Sequence, residues 1–189
     1  MYSARNAVRS TRYTVRNREY VMVKGTAHKL NPFDNVNTDY VISGRYKFKI
    51  KDMKELSKYL FEDIDPDFHK KIKNGDYIIA GENFGCGSSR EQAPWVIKEA
   101  GIGAVLAKSF ARIFFRNAFN IGLPVVECNT DEINDGDTLE LDLDKGLVVN
   151  HTQNRSIKTR PMPKLMRQLL KDGGVIEHFK KYGEFKLET

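Results

Sequence analysis

GENFGCGSSREQAPW, residues 81–95, places seven glycine, cysteine, serine or asparagine residues among its first nine positions, then adds Arg90 and Glu91. It follows YIIA (77–80), a short run that reads as a buried strand. Gly85 and Gly87 bracket Cys86, and glycine lets a backbone turn sharply and approach a ligand closely. Ser88 or Ser89 can cap a following helix, and Glu91, three residues after Ser88, makes a possible capping box. The pattern predicts a helix over 88–100. Pro94 requires that helix to kink or to start later, because an interior proline loses a hydrogen bond. A capped helix alone explains these features, but Arg90 adds a second consideration. A guanidinium beside first-turn N–H groups is electrostatically unfavourable until an anion arrives, so the loop reads as a carboxylate or phosphate site. The spacing matches neither a Walker loop nor a dinucleotide fingerprint, and a small carboxylic acid fits best.

The flanking segments supply the fold class. IGAVLA (102–107) and LPVVEC (123–128) are apolar without alternation, as expected of strands covered on both faces. FARIFFRNAFN (110–120) is amphipathic, with Phe110, Ile113, Phe114 and Phe119 as its expected core face. Strand, helix, strand, helix, strand from 77 to 128 argues for a parallel α/β layer. TLELDL (138–143) alternates, Asp144-Lys145-Gly146 turns, and 147–150 returns, which predicts an antiparallel hairpin. YVMVKGTAHKL (20–30) reads as a strand broken at Gly25, and 54–61 as a helix. Two short helices at 166–171 and 175–182 flank Gly173-Gly174. The expected architecture is one α/β domain over 20–189, with a parallel strand layer, flanking helices and an antiparallel hairpin portion.

Composition narrows the function classes. The chain has 189 residues, 40% hydrophobic and 30% charged, and no apolar run nears the roughly 20 residues of a spanning helix. Its net charge of +6 is concentrated at the N-terminus: residues 1–18 hold five arginines and no acid, leaving one net positive charge elsewhere. Residues 1–19 therefore read as a flexible basic extension, or alternatively as an organelle transit segment. The body shows no basic stripe with interleaved aromatics, so nucleic acid is disfavoured as a partner. Cys86 and Cys128 are too few for a disulfide framework and suggest a reducing compartment. The four histidines are scattered, Trp95 reads as packing, and HKKIK (69–73) as a solvated face.

Three ordered motifs carry a resemblance: DNVNTDYVISGRY (34–46), GENFGCGSSRE (81–91) and AKSFARIFFRNAFNIGLPVVE (107–127). Together with LLKDGGVIEHFKK (169–181), they are similar to the small subunit of the 3-isopropylmalate dehydratase family, which corresponds to the swivelling C-terminal domain of aconitase. The resemblance spans about residues 20–182. It implies a hydro-lyase that isomerises a small hydroxy dicarboxylic acid by dehydration and rehydration, active only with a large subunit, in the cytoplasm. It implies Ser88 as the catalytic base, and Ser89 and Arg90 as carboxylate binders. Asp39 matches a polar position of that site, though a turn aspartate is an equal reading. Arg45 is a further candidate binder, or a surface arginine. Tyr46, Lys47, Phe48 and Lys49 occupy the family's specificity segment.

The family's 4Fe–4S cluster normally needs three or four cysteines. Neither cysteine here sits in a C-x-x-C pair, so the cluster is expected on the large subunit. Cys86 then reads as a small loop residue and Cys128 as core. The loops at 34–46 and 83–90, with Asn83 and Phe84, are expected to face the partner. Homoaconitase and a methyl- or dimethylmalate dehydratase are the alternative enzyme readings, and a non-catalytic carboxylate-binding regulatory module is the alternative of another class.

Overall fold

The computed structural model describes residues 13–16, 19–22, 24–47, 49–88 and 91–187. Strands β1 (Tyr13–Arg16) and β2 (Glu19–Met22) form an antiparallel pair. Tyr13–Arg16 and Glu19 fall within the extension expected over 1–19. The paired Val21 and Asp142 join the ribbon to the main sheet. Residues 1–12 lie outside the described residues.

Strands β3 (Gly25–Lys29), β4 (Tyr77–Ile79), β5 (Ala104–Ala107) and β6 (Val125–Glu127) form the parallel layer, side by side in that order. Their registers include Ala27 with Tyr77, Ile78 with Val105, and Leu106 with Val126. Every residue of β4 and β5 is buried, which is why these runs show no polar alternation. The antiparallel part is β7 (Thr138–Asp142), β8 (Leu147–Asn150) and β9 (Arg155–Lys158). Strand β9 was not expected from the sequence; RSIK buries only Ile157, too little apolar periodicity to read. One stretch of β7 also pairs with β3, through Gly25 with Leu139, and so joins the two parts into one mixed sheet.

The helices are α1 (Thr38–Val41), α2 (Gly44–Lys47), α3 (Met53–Leu56), α4 (Phe68–Lys71), α5 (Gln92–Glu99), α6 (Arg112–Asn120), α7 (Lys164–Asp172) and α8 (Val175–Tyr182). The segment predicted as a helix over 54–61 is α3 followed by a 3-10 turn at Ser57–Tyr59. Asp52 caps α3 by accepting from the Glu55 N–H. Helix α5 is shorter than the predicted 88–100 because Pro94 falls at its third position, inside the first turn, where a missing N–H breaks no bond. Glu91, not Ser88, is the residue before the helix, and it makes no side-chain cap bond, so the expected capping box does not form.

Lys98, on α5, ties three helices together. Its ammonium donates to the Ile121 carbonyl and, at 3.2 Å, to the Gly173 carbonyl. These carbonyls end α6 and α7, where the helix dipoles favour a cation. Gly173 (φ +90) supplies the left-handed turn that ends α7.

Candidate active site

Three loops leave the C-terminal ends of adjacent parallel strands: 30–37 after β3, 80–91 after β4, and 108–111 after β5. Ligands of open α/β sheets bind at this edge. The middle loop is bonded on both sides. Toward the first, the Gly81 N–H donates to Phe33 O (2.8 Å), Asn35 N–H to Glu82 O (2.8 Å), Gly85 N–H to Val36 O (2.7 Å) and Thr38 N–H to Cys86 O (3.0 Å). Toward the third, the Phe84 N–H donates to Ser109 O (3.0 Å), and Ala111 N–H to Phe84 O (2.9 Å). The loop thus continues the sheet beyond β4 as an irregular extension, and its backbone is held in place.

Side chains complete the frame. Asp34 Oδ1 accepts from the Glu82 N–H (2.7 Å), Asn83 Nδ2 donates to Asn35 Oδ1 (2.9 Å), and Ser109 Oγ donates to Glu82 Oε2 (2.7 Å). Phe84 is 0% exposed and meets Phe114 edge-on at 5.0 Å between ring centroids. It anchors the loop in the core and does not face a partner, contrary to expectation; a phenyl ring at that position gains most from burial. Asn83 is exposed beside it. Gly85 (φ +79) has no room for a side chain, since a Cβ would fall 2.3 Å from the Phe114 ring. Glycine at this position therefore serves the close packing of loop on helix.

Ser88 follows this frame. It is exposed, its hydroxyl has no partner among the described residues, and its carbonyl accepts a 2.7 Å hydrogen bond from Thr38 Oγ1. Thr38, 2% exposed, begins α1, whose N-terminal N–H groups at Asp39 and Tyr40 are capped by Asn37 Oδ1 (2.9 and 3.0 Å). Asp39 is exposed in the first turn of α1, one residue after Thr38. Ser89 and Arg90 lie outside the described residues. The structure therefore brings two of the sequence motifs together at Ser88. Thr38 was not expected to matter: 50 residues separate it from Ser88, and no local pattern signals such a bond.

The remaining candidates lie in and after α2. The Arg45 guanidinium bonds Asp63 and lies 3.9 Å from Glu62, while its Nε donates to Ser43 Oγ (3.2 Å). It is engaged by acids of its own chain. Tyr46 stacks on Tyr59 at 4.0 Å between ring centroids. Glu62 beside it, by hydrogen bonding and charge, and burial raise its phenol above the ordinary value. Lys49 is exposed; Phe48 and the Lys47 side chain lie outside what is described.

A cleft of about 870 Å³ opens beside Gly85, Cys86 and Gly87. Its opposite wall is α6, through Arg112, Ile113 and Arg116. Ile113 is 46% exposed, whereas Phe114 and Phe119 are buried as expected. The expected core face is thus one residue too wide, and α6 turns its other side to the cleft. The two arginines were missed in the sequence; their signal is a like-charged i, i+4 pair with no acid on the same helix.

The chain's own donors do not fit an iron–sulfur cluster. Cys128 is buried, with its thiol pushed up to about 12 by desolvation, and Cys86 Sγ points to the Asn35 carbonyl at 3.4 Å. Among the described residues no group of three or more histidines, cysteines or acids is placed to hold a metal ion. No helix among them is long and apolar enough to cross a membrane.

The family profile described as the Aconitase C-terminal domain matches residues 33–130. The chain is 53% identical over 154 residues to "3-isopropylmalate dehydratase small subunit 2" of Archaeoglobus fulgidus, covering 82% of this chain and 93% of that protein. It is 51% identical over 171 residues to "3-isopropylmalate dehydratase small subunit" of Caldicellulosiruptor saccharolyticus, covering 89% and 96%. A crystal structure of 3-isopropylmalate dehydratase from Methanocaldococcus jannaschii superposes with a TM-score of 0.81 at 50% identity, over 86% of this chain and 95% of the other.

Proposed function

Because the chain belongs to the 3-isopropylmalate dehydratase small-subunit family, we propose that it is the small subunit of a hydro-lyase that interconverts 2-isopropylmalate and 3-isopropylmalate. The observation that carries this reading is about 50% identity over nearly the whole length of such subunits. Its partner is the large subunit of the same enzyme. Cluster chemistry, where the family uses a 4Fe–4S group to activate the leaving hydroxyl, belongs to that subunit. Two free cysteines suit a reducing compartment, and the cytoplasm is the compartment we assign.

Ser88 Oγ takes a proton from one substrate carbon, the hydroxyl on the neighbouring carbon departs, and an alkene diacid forms. Water then adds in the opposite sense to give the isomer. A serine base needs its oxyanion held by donors and shielded from water. The bond from Thr38 sets the backbone at Ser88. Ser89 and Arg90 bind the substrate carboxylate, with Asp39 nearby in sequence to Thr38. Arg45 can join them only by giving up Asp63 and Glu62. Activation of the leaving hydroxyl is the partner's part, so the chain alone is expected to be inactive.

For the substrate's variable substituent, Tyr46 to Lys49 form the selecting segment. Phe48 offers a carboxylate no charge partner, and burying an unpaired carboxylate is costly. An isopropyl group gains apolar contact, about 0.8 kcal/mol per methylene. Isopropylmalate is thus preferred to homocitrate or homoaconitate. The experiment is reconstitution with the large subunit and comparison of kcat/KM for these acids. Preference for homoaconitate, or binding of acids without turnover, would refute the reading.

A further inference from the structure

The cleft wall on α6 carries charges that no described residue balances. The guanidinium groups of Arg45, Arg155, Arg160 and Arg167 each lie within 4 Å of an acid of their own chain. Arg112 and Arg116 have no ion pair or hydrogen-bond partner among the described residues, and both are exposed. One helical turn apart, they repel each other. Ile113, 46% exposed, lies on the same wall. Two arginines beside an exposed aliphatic side chain match the composition of protein interfaces, in which arginine is enriched and lysine depleted.

The position of this wall indicates its occupant. Helix α6 begins directly after the third loop of the site, which is bonded to Phe84 in the middle loop. A partner that closes the carbon acid at Ser88 from water therefore passes over the cleft rim. The geometry points to Arg112, Ile113 and Arg116 as a docking face for an acidic segment of the large subunit, the arginines pairing with its carboxylates and Ile113 with an apolar side chain. This rests on the proposed function for the existence of that partner, and extends it to a surface and a chemistry.

The test uses separately purified subunits and follows Kd for their association as a function of salt. The Arg112→Glu/Arg116→Glu variant is expected to weaken association about tenfold or more and to lose its salt sensitivity. The charge-retaining Arg112→Lys/Arg116→Lys variant is expected to stay near wild type. Thermal melting of the free variants checks that both fold. An unchanged Kd for the Glu variant overturns the proposal. So does an unchanged Kd with lost kcat/KM, which would make the arginines substrate ligands. A wild-type pair that binds but does not turn over isopropylmalate removes the proposed substrate; salt-sensitive binding lost in the Glu variant still supports docking. A wild-type pair that does not bind overturns both.

Discussion

Thr38 Oγ1 donates a 2.7 Å hydrogen bond to the carbonyl of Ser88, joining the N-terminus of one helix to the loop after another strand. The two lie in separate motifs, and this contact sets where the proposed base stands.

Replacing Thr38 by valine keeps the shape and removes the donor. We expect kcat of the reconstituted enzyme to fall about 10-fold to 100-fold, since small misplacements of reacting groups are this costly. Stability should change by only about 1 kcal/mol. Thr38→Ser should retain most activity. Steady-state kinetics together with urea melts of the three proteins check this; equal loss in Thr38→Ser would argue against the hydroxyl.

Gly85→Ala should destabilise the fold by about 2–4 kcal/mol, from the left-handed backbone and overpacking together. The added Cβ would sit 2.3 Å from the Phe114 ring. Chemical denaturation measures it, and a change below 1 kcal/mol would mean that helix and loop part easily.

Acid should loosen the C-terminal helices. Asp172 Oδ2 accepts from buried His178 Nδ1 at 2.6 Å and from Gln168 at 3.0 Å, and Oδ1 from Lys181 at 3.1 Å. The Lys186 N–H donates to His178 Nε2 (3.1 Å), so the imidazole proton sits on Nδ1. Burial would raise the Asp172 carboxyl, but these donors outweigh it and hold the group below its ordinary value. The sign follows: the contribution is complete above the ordinary carboxylate pKa near 3.9 and is lost as pH falls through the lower folded value. Asp172→Asn should lower stability by about 2 kcal/mol at neutral pH and approach wild type in acid. A difference that is independent of pH would contradict this.

Lys98→Met should leave the Ile121 and Gly173 carbonyls without their donor. We expect a loss of about 1–3 kcal/mol, together with faster amide exchange at the ends of α6 and α7. Unchanged exchange there would show that the lysine does not hold these termini.

What the sequence made legible follows from the range of the interactions. The runs 102–107 and 123–128 announced buried parallel strands because burial on both faces removes polar alternation. The turn at 144–146 appeared because its backbone requirement, a positive φ at Gly146, is local, whereas Gly25 opens β3 and is kept bare by the close approach of the Gly75 carbonyl, a long-range contact. The start of α5 was misplaced because serine and glutamate signal a cap, whereas Pro94 sets the actual boundary. Ile113 was assigned to the core because periodicity does not tell how wide a buried face is. The partners of Arg45 and the Thr38–Ser88 bond depend on tertiary placement, which no spacing in the chain encodes.

The most direct test is Ser88→Ala in the reconstituted complex, with kcat and substrate dissociation measured separately. If Ser88 is the base, kcat falls by orders of magnitude while assembly and substrate affinity are largely kept. A variant that keeps its turnover and loses only affinity would make Ser88 a binding residue, and the proposed division of labour between the two subunits would be wrong.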